Sequence, residues 1–235
     1  MDIAPARRDP RVDLLTPELE ILGRLPYSSN YTFLATLKGS DERVVYKPRD
    51  GESPLWDFPP GSLCQREVAA YLVAEELGWG LVPPTVLRDG PLGIGAVQSF
   101  IEHDPSITAF SLGPRHIPEL RRVALLDVVI NNADRKGGHV ILDVDDRVWS
   151  VDHGICFHEE PKLRTVIWVF AGEQVTEEEM HDLQGLEGSL GAIGGLAELL
   201  SPSELRALEG RLGGLIESGV FPQPGPGRST PWPPV

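Results

Sequence analysis

The hydrophobic pattern changes period midway along the chain, and this change restricts the fold more than any single motif does. Up to about residue 100 the apolar residues fall in short β-rich runs broken by turn signals. Residues 31–37 and 42–47 read as strands joined by the hairpin signal Lys38-Gly39-Ser40-Asp41, and residues 85–88 and 94–100 as two more. Between them, Ser62 with Gln65 fits a capping box. It opens a helix expected to reach about Leu77, where Gly78 supplies a left-handed stop. From Pro118 onward the period becomes helical, with Leu120, Val123, Leu126 and Val129 on one face. Residues 140–142 and 148–151 form short strands around the turn Asp145-Asp146. Thr176 with Glu179, and Ser201 with Glu204, are further capping boxes. The last helix, 202–218, ends at Gly219. The expectation is an α+β chain: an arm (1–15), a β-rich N-lobe (16–101), a small helical C-lobe (102–220), and a cleft between the lobes. The Pro/Gly-rich tail (221–235) is expected to be disordered or extended.

Charge and composition exclude several classes. A net charge of −14 argues against nucleic acid as a partner, which calls for a basic face. It also argues against docking on anionic lipid unless a local basic patch overrides the total. No apolar run approaches the roughly 18 residues of a membrane span, and the N-terminal sequence lacks the apolar core of a secretory signal. Cys64 and Cys156 make neither a disulfide framework nor a metal cluster. A cytoplasmic location is the default.

Four polar fragments suggest a common chemistry. Lys47 ends the apolar strand Val44-Val45-Tyr46, where an ammonium can meet a phosphate as a compact charge. Glu67 follows early in the next helix. The loop Asn131-Asn132-Ala133-Asp134-Arg135-Lys136-Gly137-Gly138-His139 leaves a helix and enters a strand, so Asp134 is placed to accept a proton from a hydroxyl. Asp152 in Val151-Asp152-His153-Gly154 offers oxygen to Mg²⁺. Singly, each has an ordinary reading: a strand-end lysine, a solvated helix charge, a helix-ending turn, an Asp/Gly turn. Their order along the chain is far less ordinary.

The run Tyr46-Lys47-Pro48-Arg49, Glu67-Val68-Ala69-Ala70-Tyr71, Leu81-Val82-Pro83-Pro84-Thr85, Val97-Gln98-Ser99-Phe100-Ile101-Glu102, Leu126–Arg135 and Val151–Phe157 resembles the phosphatidylinositol 3-/4-kinase superfamily. It is most like type II phosphatidylinositol 4-kinases. The resemblance covers roughly residues 23–170, and the Gly/Pro/Arg/acid-rich style is that of an actinobacterial-type kinase-like protein. It implies a bilobal protein-kinase-like fold, with ATP and Mg²⁺ (or Mn²⁺) as cofactors. It further implies that Lys47 contacts the α- and β-phosphates and that Glu67 belongs to the same nucleotide site. Ser28, Ser29 and Asn30 would lie in the turn covering the phosphates, and Ser99, Phe100 and Ile101 would pair with adenine. Asp134 would be the catalytic aspartate and Asp152 the main metal ligand.

The chain departs from that pattern in four ways. His139 stands where a metal-binding asparagine is expected; its imidazole suits Mn²⁺ or Zn²⁺ better than Mg²⁺. His153 fills a position that usually tolerates change. The cysteine-rich segment of the type II enzymes is absent, and the region after about Gly172 is short. The expected function is γ-phosphate transfer to a hydroxyl of a protein or small molecule. The alternatives are a phosphoinositide lipid kinase and an ATP-binding pseudokinase or nucleotidyl transferase. A purely structural domain fits the ordered polar set least.

Overall fold

The computed structural model describes residues 14–26 and 29–235. The chain divides into two compact units, residues 1–64 with 84–100 and residues 65–83 with 101–235. The sequence reading places a single boundary near residue 101. Residues 65–83 instead group with the helical unit, because Ala69, Ala70, Tyr71, Val73, Ala74 and Leu77 are buried in its core.

The first unit is a five-stranded sheet made of β1 (Leu19–Arg24), β2 (Phe33–Leu37), β3 (Arg43–Pro48), β4 (Thr85–Gly90) and β5 (Gly93–Ser99). The order is β1-β2-β3-β5-β4, and every neighbouring pair is antiparallel. Strand alternation decides which residues serve the core. In β3, Val44, Tyr46 and Pro48 are buried, whereas Val45 and Lys47 on the opposite face are half-buried. Val44 and Tyr46 join Ala35, Leu37, Val86 and Val97 in the core. Full burial of a side chain of this size contributes about 1.5–3 kcal/mol. The Tyr46 hydroxyl donates to the Gly93 carbonyl. Its ring leaves no room for a Cβ, which would stand 2.7 Å from ring carbon on Gly90 and 2.8 Å on Gly95.

Helix α1 (Leu63–Glu76) begins on a support that residue spacing did not indicate. The Glu52 carboxylate accepts the N–H of Leu63 at 3.0 Å and of Cys64 at 2.8 Å. It satisfies two of the donors that a helix start leaves open, and a negative charge suits that end. Gly78, at φ +68°, stops the chain as expected.

The second unit is mainly helical: α2 (Ile117–Ile130), α3 (Glu177–Ser189), the short α4 (Leu196–Leu199) and α5 (Pro202–Ser218). The predicted face of α2, Leu120, Val123, Leu126 and Val129, is buried. It shares a core with Leu183 and Leu186 of α3 and Leu208, Leu212 and Leu215 of α5. Two of the three predicted capping boxes, Thr176 with Glu179 and Ser201 with Glu204, form. A two-stranded ribbon, β6 (Val140–Leu142) and β7 (Val148–Ser150), carries the Asp152 segment at its end.

The C-terminal stretch is docked rather than disordered. Phe221 is buried against Phe170, with ring centroids 5.7 Å apart. The Ser229 carbonyl accepts from the Thr165 N–H and the Trp168 indole, both at 3.0 Å. The Pro234 carbonyl accepts from the Gly137 N–H at 2.8 Å.

Candidate functional site

Helix α2 ends at Asn131 in the left-handed region, φ 54°, where its N–H still reaches the Asp127 and Val128 carbonyls. That turn sends the chain into 132–136, and both asparagines hold it. The Asn131 amide donates to the His158 and Glu160 carbonyls at 2.9 and 2.7 Å, and its oxygen accepts the Lys162 N–H at 2.8 Å. Asn132 donates to Asp127 at 2.9 Å and accepts the N–H of Asp134 at 2.9 Å. Asp134 thus stands on a backbone fixed from both sides.

Beneath it lies a buried ionic hub. The Arg135 guanidinium meets the Asp127 carboxylate at 2.9 Å with neither side chain exposed. Arg135 also donates to the Val151 carbonyl at 2.8 Å, the His139 carbonyl at 3.2 Å and His153 Nε2 at 2.8 Å. A guanidinium only donates, so Nε2 of His153 is an acceptor and the ring proton resides on Nδ1. Ser150 Oγ lies 3.0 Å from the same nitrogen. One arginine therefore fastens the Asp134 loop to the strand end that carries Asp152.

Of the residues singled out in the sequence, Glu67, Asp134, His139 and Asp152 belong to this second unit. Glu67 is buried, and its carboxylate accepts the His153 N–H at 3.0 Å, tying α1 to the Asp-x-Gly segment. Asp134 is half-buried and its carboxylate lies 3.1 Å from the Lys136 ammonium. Burial raises its pKa, Lys136 works against that, and the nearby Asp152 charge raises it further. Asp152 has a positive φ of 62° and a side chain 49% exposed. An aspartate tolerates that backbone region, and such outliers gather at functional sites. His139 Nε2 lies 3.2 Å from the Asp152 carboxylate.

Among the described residues, no group of three or more His, Cys, Asp or Glu side chains is arranged to hold a metal ion. Asp134 and Asp152 each offer carboxylate oxygens, the ligand type that Mg²⁺ takes while keeping several waters.

Lys47, Ser29, Asn30, Ser99 and Phe100 belong to the first unit. Lys47 pairs with Ala96 on the sheet face opposite the core, next to Gln98, whose amide donates to Thr85 Oγ1 at 2.8 Å. Ser29 and Asn30 are both bound to Ser53: its Oγ donates to the Ser29 carbonyl, and its N–H to Asn30 Oδ1, each at 2.7 Å. Ser28 lies outside the described residues. The Ser99 N–H is taken by the Pro84 carbonyl at 2.9 Å, and that of Phe100 by the Arg43 carbonyl at 3.0 Å. Adenine pairing by this segment would therefore use groups other than these two N–H donors. The first unit ends at Phe100, and Ile101 begins the next stretch of the second.

Sequence reasoning missed the hub and took His153 for a tolerant position. The structure corrects this: His153 is fully buried and held by Arg135, Ser150 and Glu67. A signal was present, since Asp127 interrupts an otherwise apolar helix face and a lone buried acid requires a cationic partner.

Sheet and helices together define a protein-kinase-like α+β fold. The Helicobacter pylori proinflammatory kinase CtkA superposes with a TM-score of 0.56, over 89% of this chain and 95% of that one. The identity is 12%, so the likeness is one of fold. The chain belongs to the family of Protein Rv2133c of Mycobacterium tuberculosis, with which it is 41% identical over 97% of its own length and 96% of that protein's. Phosphatidylinositol 4-kinase gamma 4 of Oryza sativa is 30% identical over 61% of this chain, and its Arabidopsis thaliana namesake 32% over 45%. The chain spans 30% and 23% of the lengths of those plant proteins. No family model matches the chain.

Proposed function

We propose that the protein is an ATP-dependent kinase that transfers the γ-phosphate to a hydroxyl of a protein or small molecule. The observation that supports this best is the pair Asp134 and Asp152, on two segments that one buried arginine ties together. Phosphoryl transfer passes through a loose transition state, so the protein's work is positioning and charge neutralisation. Asp134 accepts the proton of the acceptor hydroxyl as the acceptor oxygen bonds to the γ-phosphorus and the bond to the ADP oxygen breaks. Its raised pKa makes it a better base than an ordinary aspartate. Lys47 neutralises α- and β-phosphate charge, and Ser29 and Asn30 belong to the turn that covers the phosphates. Asp152, with His139 beside it, would hold Mg²⁺ or Mn²⁺, which supplies positive charge to the phosphates when bound.

A second reading, a phosphoinositide kinase, is favoured by the likeness to the plant phosphatidylinositol 4-kinases. Incubation with γ-labelled ATP, a lysate and phosphatidylinositol vesicles separates the two by where the label goes. Label in neither, with ATP still bound, would leave a pseudokinase. Label transferred only from α-labelled ATP would mean nucleotidyl transfer.

A further inference from the structure

A cavity of about 720 Å³ lies within the second unit, between residues 160–164 and the C-terminal residues 222–229. Lys162, Arg164 and Arg228 line it, with a single acid, Glu160, and the indole of Trp168. In a chain of net charge −14, this is a local reversal of sign. Lys162 is mostly buried, and its ammonium lies 3.9 Å from the exposed Glu160 carboxylate. Among the described residues neither Arg164 nor Arg228 pairs with a carboxylate; Arg228 spends one N–H on the Thr230 carbonyl at 3.1 Å.

The cavity wall is continuous with the loop that carries Asp134. Arg164 donates its N–H to the Asn132 carbonyl at 2.9 Å and accepts that of Arg135 at 3.0 Å, bracketing Asp134. Lys162 is bound through its N–H to Asn131 at 2.8 Å. The opposite wall is secured where the Ser229 carbonyl takes the Thr165 and Trp168 donors. Three cations beside an indole, two of them (Lys162 and Arg164) on backbone fixed to the residues flanking Asp134, make a seat for an anion attached to an organic body. Guanidinium forks match phosphate oxygens, and an aromatic face covers the carbon skeleton.

We propose that this cavity binds a phosphate ester carried by the acceptor, so that the substrate is a hydroxyl compound already bearing a phosphate. The proposal rests on the kinase reading for the word acceptor, but the binding site can be tested without turnover. A phosphate ester can come from a lipid headgroup or from a soluble metabolite; the chemistry at the cavity is the same.

The test is titration of the full chain with inorganic phosphate, without nucleotide, by calorimetry. Arg164→Gln/Arg228→Gln should weaken phosphate affinity about tenfold or more, since each loses a charge-assisted hydrogen bond to the anion. The exposed Arg206→Gln should leave it unchanged, and circular dichroism identifies any variant that has unfolded. If the double variant fails to fold, Arg228→Gln alone, in the exposed segment, is read in its place. Unchanged affinity in the folded variant overturns the proposal, as does an equal loss in Arg206→Gln. Lys47→Met must abolish ATP binding and spare phosphate binding; loss of both would make the anion site the nucleotide site and overturn the inference while leaving the kinase reading intact. In a parallel arm, retention on phosphatidylinositol vesicles over phosphatidylcholine vesicles, lost in the double variant, assigns the phosphate to a lipid headgroup. Phosphate binding without such retention assigns it to a soluble ester.

Discussion

The guanidinium of Arg135 and the carboxylate of Asp127 meet at 2.9 Å with no exposure on either side chain. Two further N–H bonds to the Val151 carbonyl and His153 make Arg135 the joint between the Asp134 loop and the Asp152 segment. Truncating one partner of such a pair strands the other charge in the interior. Asp127→Ala should cost about 3–5 kcal/mol in urea unfolding. The exposed Arg206→Ala should cost under about 0.5 kcal/mol. A loss below about 1 kcal/mol for Asp127→Ala would mean that the hub is not structural.

Gly95 lies opposite the end of β3. A Cβ there would stand 2.7 Å from the Pro48 Cα and closer still to the Lys47 carbonyl, both backbone atoms that cannot rotate away. Gly95→Ala should separate β3 from β5, lower stability by about 1–3 kcal/mol and weaken ATP affinity through displacement of Lys47. The measurement is thermal unfolding together with a nucleotide titration. ATP affinity at the native level would detach Lys47 from the nucleotide.

The ammonium of Lys136 opposes the burial that raises the Asp134 pKa. Removing that cation makes the carboxylate harder to form, so Lys136→Met should move the acid limb of the pH–rate profile to higher pH. Asp134 acts as the base on this account, and a limb that stays in place would assign it to another group.

Burial works against the charged form of Glu179, yet Arg121 and the Thr176 N–H outweigh it and hold its pKa below the ordinary 4.5. Glu204 follows the same rule with Ser201 and Arg66. A carboxylate depressed in the folded state adds stability above its unfolded pKa, and that stability is lost as pH falls through the folded value. Stability should therefore be flat from neutrality to about pH 4.5 for these two groups and fall below it. Glu179→Gln should lessen that fall in acid titrations followed by circular dichroism; an unaltered slope would remove Glu179 from the acid response.

Much of the architecture was legible in the sequence because it rests on local signals. The Ser201 and Thr176 capping boxes, the Gly78 stop and the α2 face follow from residue spacing and backbone preference. What was not legible depends on partners distant in the chain. Glu52 supports α1 across an 11-residue separation, and Glu67 reaches His153 across 86. Likewise, the Pro-rich stretch after Gly219 looked unable to pack by composition. It docks by lending carbonyls at Ser229 and Pro234 to donors elsewhere, a role that does not depend on side-chain pattern. Of the site, the sequence indicated Asp134 and Asp152 by residue type and order; the Arg135 hub that relates them could be seen only in three dimensions.

The most direct measurement is transfer of label from γ-labelled ATP, with Mg²⁺ or Mn²⁺, by the native chain and by Asp134→Asn and Asp152→Ala. The account predicts transfer to an acceptor hydroxyl by the native protein, background levels in both variants, and ATP still bound by Asp134→Asn. Native-level transfer in both variants would contradict it.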